Sequence, residues 1–364
     1  MVAQNTYRNF FYRQIFVTPP AITTNIRSLI GRTGIVTGSN TGLGYHASSQ
    51  LLALGLTRLI LAVRDTAKGE AAKSSLLTTL KQTGSKTTPM VEVWPVDLTD
   101  YASITTFAER VRDTPDLKVD FCILNAGVAR FKYEVVNGNE LTIQTNWLGT
   151  ALLAILLRPV LQAQYARPSG VAANANGNGH ITNGSDPTPP VLSIVGSEVA
   201  QWAVFQEAKI AAKEKRAVLS VLNDQAKFDP GDRYYTSKLL LTLFFREFIK
   251  RLPADNAVVV NIVNPGFCYG SELHRTLSGP LGKVFGGMKR AIGRSTEVGA
   301  RTLVHGAVVA GEETHGRYLS DEKVAPLMDF PLTPTGEACG REMWEEMEEE
   351  FGTSVNVKAV MKEG

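Results

Sequence analysis

Short apolar and β-branched runs alternate along this chain with stretches whose apolar residues recur at helical spacing. The runs at 34–37, 58–63, 91–96, 120–124, 191–195, 258–263 and 317–319 predict strands. Several are apolar throughout, as expected where a strand is covered on both faces. The helical patterns fall between them, at 43–54, 67–80, 101–112, 140–166, 234–251 and 295–309. Strand–helix alternation of this kind predicts an α/β fold: a doubly wound parallel sheet of about seven strands, helices on both faces, joined by right-handed crossovers.

Four segments break the rhythm. Residues 1–30 form an N-terminal arm ahead of a single domain at 31–364. Its aromatic, partly basic stretch at 9–16 reads as cover for an apolar patch or a dimer seam; contact with a membrane surface is the other reading. Residues 168–190, rich in Gly, Asn and Pro, cannot bury a core and predict a surface loop. Its Asn183-Gly184-Ser185 matches a glycosylation acceptor, taken as accidental.

Residues 198–230 form an insertion on the substrate side. Within it, 208–222 reads as one amphipathic helix with Lys209, Lys213, Lys215 and Arg216 on its polar face. It could cover a substrate or be a purely structural insertion. Residues 334–351 read as a docking helix, with Met343, Trp344, Met347 and Phe351 on one face and an acidic run mostly on the other.

Composition narrows the function classes. The chain has 364 residues, 44% hydrophobic and 20% charged, with a formal net charge of +3 and no long basic run. Nothing here favours nucleic acid. Three cysteines, Cys122, Cys268 and Cys339, have neither disulfide nor metal-ligand spacing, and the five histidines form no ligand pattern. No metal is expected, and a reducing, cytoplasmic setting fits best. Polar and basic residues interrupt the N-terminus, so no signal peptide is expected. Nor is a membrane-spanning stretch of roughly 18 apolar residues.

Four motifs sit where strands should end. Thr37-Gly38-Ser39-Asn40-Thr41-Gly42-Leu43-Gly44 lies between a strand and a helix. Glycines there let the backbone turn sharply against a pyrophosphate, and the helix N-terminus offers free N–H groups. After the second strand, Val63 stands where an NAD site usually has an acid, and Arg64 follows, with Lys68 nearby. That favours a 2′-phosphate, hence NADP(H), although Asp65 is adjacent. Asp97 and Leu98 could hold adenine, or Asp97 could cap the next helix. Asn125-Ala126-Gly127 permits close cofactor approach, and Asn125 could tie two strands by bonds to backbone. Further on, Tyr234 and Lys238 share a helix face, where an ammonium would lower the phenol's pKa. Such a tyrosine can exchange a proton with a carbonyl or alcohol oxygen.

Together these residues resemble the short-chain dehydrogenase/reductase family, with its Rossmann-type sheet. Thr37-Gly-x-x-x-Gly-x-Gly44, Asn125-Ala-Gly127, Ser197 and Tyr234-x-x-x-Lys238 occur in the family's order across about residues 31–319. Val63-Arg64-Asp65 and Arg233-Tyr234 to Leu239 are similar to the retinol-dehydrogenase-like, NADP(H)-using branch. Phe16-Val17-Thr18-Pro19-Pro20 and Gly196-Ser197-Glu198-Val199-Ala200 are similar to its fungal members, many of which serve secondary metabolism.

The resemblance implies roles. Tyr234 would be acid or base, Lys238 would tune it and bind the nicotinamide ribose, and Ser197 would hold the substrate oxygen. Asn146 would hold a water in the proton relay. Asn264-Pro265-Gly266 would pack near the nicotinamide, and 269–287 would form a substrate wall. The helices at 140–166 and 234–251 would offer the family's homodimer seam, which the arm and insertions could block. This chain has Gly196-Ser197 where a serine pair is usual, with Ser193 as a weaker alternative.

The implied function is an NADP(H)-dependent oxidoreductase. It would act on a ketone, aldehyde or alcohol of an apolar small molecule, polyketide- or terpenoid-derived by resemblance alone. A non-redox cyclase or isomerase, and a dinucleotide-sensing binding protein, are the alternatives.

Overall fold

In a computed structural model of the chain, residues 7–84, 88–166, 188–270, 290, 292–352 and 354–362 are described. The loop expected at 168–190, except its last three residues, lies outside them; so does the wall at 269–287 beyond its first two. Eight strands form one sheet: β1 (Thr33–Thr37), β2 (Arg58–Val63), β3 (Met90–Pro95), β4 (Phe121–Leu124), β5 (Val191–Val195), β6 (Val259–Asn264), β7 (Tyr318–Ser320) and β8 (Lys323–Ala325). Their order is β8-β7-β6-β5-β4-β1-β2-β3. Every pairing is parallel except β7–β8. The order reverses between β1 and β4, which opens a crevice at the strands' carboxyl ends.

The helices are α1 (Tyr7–Phe16), α2 (Gly42–Ala53), α3 (Thr66–Gln82), α4 (Tyr101–Asp113), α5 (Thr150–Ala166), α6 (Gln206–Glu214), α7 (Val218–Leu222), α8 (Arg233–Arg251), α9 (Thr296–Val304), α10 (Pro334–Phe351) and α11 (Val357–Lys362). Two apolar cores result. One joins α4, α5, α8 and α10 to one side of the sheet; the other joins α2, α3 and α9 to the other side. Burial on both sides is why strands such as Leu59–Val63 within β2 carry no polar face.

Three elements differ from the sequence expectation. The eighth strand was not foreseen: it has three largely exposed residues, and its turn, Asp321-Glu322, is left-handed at both positions without glycine or asparagine. The helix expected at 140–166 begins as a short turn, Leu141–Ile143, widens into a π turn, Gln144–Gly149, and then continues as α5. The single helix expected at 208–222 is two, α6 and α7. Lys215, at φ 54°, ends the first in a left-handed cap.

Leu141–Tyr165 is long and apolar enough to cross a membrane by length and composition, which the sequence reading did not anticipate. Yet 78% of its most apolar window is buried inside the fold, where it serves as a core helix.

The long helix α10 lies along α8. Trp344 stacks on Phe244 with centroids 5.8 Å apart and planes 1° from parallel, and Arg251 sits over the indole at 4.6 Å. Met343, Met347 and Phe351 are buried with it. Two acids of the run reach inward rather than to water. Glu346 accepts the N–H groups of Val218 and Leu219 at 2.7 and 2.6 Å, capping α7. Glu350 accepts from Tyr101 and Asn139. Replacing Trp344 with Ala should therefore lower the unfolding free energy by about 3–5 kcal/mol. Urea titration checks this, and a loss under about 1 kcal/mol would mean that α10 adds little to the core.

Candidate active site

A cavity of about 540 Å³ opens at the carboxyl ends of the strands. Its floor is the turn after β1. Thr37 Oγ1 accepts the N–H groups of Asn125 and Ala126, both at 2.9 Å, and the Asn125 amide donates to the Thr37 carbonyl at 2.9 Å. Asn125 thus ties β1 to β4, as its position suggested. Gly38 has φ 62°, and a Cβ on it would stand 2.9 Å from Ala126 Cα. A Cβ on Gly44 would stand 2.5 Å from the Gly38 carbonyl oxygen. The turn closes only because both side chains are missing.

Thr41, at the N-cap of α2, makes no side-chain cap bond. Its hydroxyl leaves the first-turn N–H groups to whatever fills the cavity, so this helix start fits an anionic phosphate. Gly38, Asn40, Thr41, Gly42 and Leu43 line the cavity, while Ser39 and Gly44 stand behind it. Ser39 is fully buried and its hydroxyl has no hydrogen-bond partner among the described residues.

Arg64, Asp65 and Lys68 line the adjoining rim. Asp65 caps α3, accepting the Lys68 N–H at 3.1 Å, and lies 3.6 Å from the Lys68 ammonium. That N–H bond, with the lysine charge, holds its carboxyl below the usual range. Arg64 is exposed. Asp97 and Leu98 also line the cavity. Asp97 does not cap the following helix: it accepts from Thr99 N–H at 2.9 Å and Thr99 Oγ1 at 2.7 Å, and Asp100 caps α4 instead.

At the far side, Ser197, Tyr234 and Lys238 face the same cavity. Tyr234 and Lys238 lie one turn apart on α8. Asp232, before the first turn, accepts from Val204 and Phe205 N–H and from Thr236 Oγ1, fixing the helix start to the insertion. Arg233, wholly buried, pairs with Glu207 at 3.2 Å and Glu140 at 3.8 Å. Lys238 Nζ donates to the Val195 carbonyl at 2.9 Å, which joins α8 to the end of β5 two residues before Ser197. Burial draws its pKa down to about 8.

Tyr234 departs from expectation. Burial is the largest influence and pushes its phenol up; a hydrogen bond with Ser197 pulls the other way, and Cys268 and Tyr235 push it further up. Lys238 is not among the causes; its ammonium donates to the Val195 carbonyl.

Asn146 sits in the π turn, outside the cavity lining. Its amide is fully engaged: Oδ1 accepts Val128 N–H at 2.8 Å, and Nδ2 donates to the Val128 carbonyl at 2.8 Å and to Ser237 Oγ at 3.0 Å. Ser237 Oγ in turn donates to the Tyr234 carbonyl at 2.7 Å. Ser193 is buried in β5 beside Gly306, away from the cavity. A Cβ on Gly196 would stand 2.8 Å from the Ile262 side chain, which accounts for glycine there. Ala126, Gly127, Pro265 and Gly266 complete the predicted lining. None of residues 203–230 reaches the cavity; from the insertion only Glu198, Val199 and Trp202 do.

Sequence reasoning missed much of the rest: Tyr7, Phe10, Phe11, Arg130, Tyr235 and Phe267. The aromatic clustering at 7–16 was the available signal, but no periodicity told which surface it would meet. Among the described residues no group of three or more His, Cys, Asp or Glu could hold a metal.

A family model for short chain dehydrogenases matches residues 32–175. The chain is 38% identical over 348 residues to the short-chain dehydrogenase fogG of Aspergillus ruber, covering 94% of this chain and 91% of that protein. It is 35% identical to the short chain dehydrogenase/reductase mfmJ of Annulohypoxylon moriforme, over 98% and 94% of the two chains. Among solved structures, salutaridine reductase from Papaver somniferum superposes with a TM-score of 0.53 at 20% identity, over 79% of this chain and 99% of that one. L-sorbose reductase from Gluconobacter frateurii, solved with NADPH and L-sorbose, gives 0.54 at 16% identity, over 80% and 95%. At those identities the structures speak for the fold alone.

A Gly44→Val substitution should weaken binding of a nicotinamide dinucleotide by more than about 10-fold, because a side chain there collides with the turn's own carbonyl. Fluorescence titration measures it, with circular dichroism to check the fold. Unchanged affinity would remove the turn from the binding site.

Proposed function

Because the chain belongs to the short-chain dehydrogenase/reductase family, we propose that it is an NADP(H)-dependent oxidoreductase whose main direction is reduction of a ketone or aldehyde in an apolar small molecule. The observation that carries the reading is the convergence of Ser197, Tyr234, Lys238 and the glycine turn on one cavity. A bound nicotinamide dinucleotide would supply the hydride.

Each group then has a task. The 38–44 turn and the α2 N-terminus hold the pyrophosphate. Arg64 and Lys68 meet the 2′-phosphate; Asp65 is spent on capping α3 and does not compete for the ribose. Asp97 and Leu98 take the adenine end. Asn125, Ala126, Gly127, Pro265 and Gly266 give the nicotinamide half its close backbone approach. Ser197 holds the substrate's carbonyl oxygen. Tyr234 gives that oxygen its proton, and burial keeps the phenol in the protonated form this step needs. The same phenol serves both directions; reduction is taken as the main one because NADPH is the hydride source in this reading. Lys238 binds the ribose of the cofactor. Asn146 positions the 127–130 turn and, through Ser237, the Tyr234 backbone.

The relatives named above are fungal, which supports a role in secondary metabolism, and three buried cysteines with no disulfide between them fit the cytoplasm. The α8 face that could have served a homodimer is covered by α10 of the same chain, so this reading has the enzyme work as a monomer at that surface.

Tyr234→Phe should lower kcat for NADPH-dependent carbonyl reduction by about 10²–10⁴ with NADPH affinity unchanged. Stopped assays over a panel of ketones and aldehydes test it, and undiminished turnover would end the assignment. Arg64→Ala should cut the preference for NADPH over NADH by about 10-fold or more; an unaltered ratio would place the 2′-phosphate elsewhere. The pH dependence follows from Lys238. Its ammonium is present below about 8 and lost above it in the free enzyme. Reductive kcat/KM should therefore fall as pH rises through that value, and Lys238→Arg should move the falling limb to higher pH. A profile flat across pH 7–9, or one that Lys238→Arg leaves in place, would mean that the ammonium is not needed.

A further inference from the structure

Among the described residues, one end of the cavity is made almost wholly of rings. Tyr235 follows the active-site tyrosine, its ring centroid 6.4 Å from that of Tyr234. Trp202 stands edge-on to Tyr235 at 6.5 Å. Tyr7 lies flat on Trp202, at 4.8 Å and 12°, and Phe10 meets the same indole edge-on at 5.0 Å. Phe10 also touches Phe11 at 5.3 Å and Phe267 at 6.3 Å. All of these line the cavity. The aliphatic lining comes mostly from the strand ends and turns of the nucleotide side. Tyr7 and Phe11 remain exposed, at 63% and 42%, while they line it. Apolar ring surface left open inside a cavity is what a bound ring would cover.

Three of these rings belong to α1, and α1 is fastened. Arg13 pairs with Glu198 and lies 3.3 Å from Asp321. Gln14 donates to Glu198 at 3.2 Å. Arg294 pairs with Asp321 at 2.5 Å and donates to the Arg13 and Val17 carbonyls at 3.1 and 3.0 Å. All four charged side chains are largely buried. Glu198 follows Ser197 directly, and its N–H donates to Asn264 Oδ1 at 3.2 Å. Arg13 therefore ties the aromatic helix to the backbone that presents the serine. A hydrophobic arm held by apolar contact alone could slide; buried ion pairs with few satisfied arrangements fix its register.

We propose that α1 is the fixed substrate wall of this enzyme, and that with Trp202 it selects flat, ring-bearing carbonyl compounds over puckered ones of the same skeleton. The proposal rests on the oxidoreductase reading above and deepens it. Phe10 and Tyr7 are specificity-determining residues, and Arg13 is a positioning residue that acts through Glu198.

The test compares two probes with the same carbon skeleton, 2-naphthaldehyde and decahydro-2-naphthaldehyde. Binding to the full chain is measured by calorimetry in the presence of NADP⁺, so that no turnover is needed. The flat probe should bind about 10-fold tighter than the saturated one. Phe10→Ala and Tyr7→Ala should each weaken the flat probe by about 3-fold or more, with little effect on the saturated probe or on NADP⁺. Tyr7 is exposed, so its variant keeps the test valid even if Phe10→Ala fails to fold. Arg13→Met should reproduce the loss of selectivity, and Arg13→Lys should restore part of it. Equal binding of the two probes, no binding of the flat one, or equal weakening of both by the ring variants would each overturn the proposal. A failure of the redox reading shows separately, as absent NADPH oxidation with ring selectivity intact.

Discussion

A single buried amine organises this molecule. Lys238 has left water for the interior of α8 and donates to the carbonyl of Val195 at the end of β5. Burial alone draws it to about 8, so its charged form is held at a cost that the rest of the fold must meet. That one bond sets the distance between the helix bearing Tyr234 and the strand end bearing Ser197. Around it, Asp232 and Arg233 clamp the start of α8 to the insertion, and α10 covers the helix from outside. The nucleotide turn on β1 is tied to β4 by Asn125 in the same way, by side chain to main chain across a strand end. Both halves of the site are therefore built on strand termini rather than on free loops, which suits groups that must keep their spacing.

The balance of influences on Tyr234 raises the pKa of its phenol. A phenol in an apolar cavity resists ionisation, and the Ser197 bond pulls the other way. Asn146 contributes at one remove. With its whole amide committed to Val128 and Ser237, it shapes the turn on one side and the first residues of α8 on the other.

How much of this was readable beforehand varied with the physics involved. Strands buried on both faces announce themselves, and β2 and β5 fell on their predicted residues. Motifs whose residue type is dictated by backbone geometry, such as Gly38 and Gly44, were equally plain. Elements decided by tertiary contact were not. The eighth strand is an exposed hairpin arm, and the break after Glu214 depends on left-handed Lys215, which no local rule favours. The acids Glu346 and Glu350 looked solvated by helical spacing, yet they satisfy N–H and O–H groups on other elements. The aromatic arm was visible as an arm. Its partner, a tryptophan about 195 positions away, was not, because nothing local encodes a contact at that separation.

The family match starts at residue 32, sixteen positions after α1 ends. A shortened form cut at that boundary would keep the whole segment that the family model matches. It would also strip Glu198 and Asp321 of a guanidinium in a poorly hydrated interior, beside the serine. Where a homology profile begins and where an enzyme's working surface begins are thus separate questions here, and assays on a trimmed version would describe a different pocket.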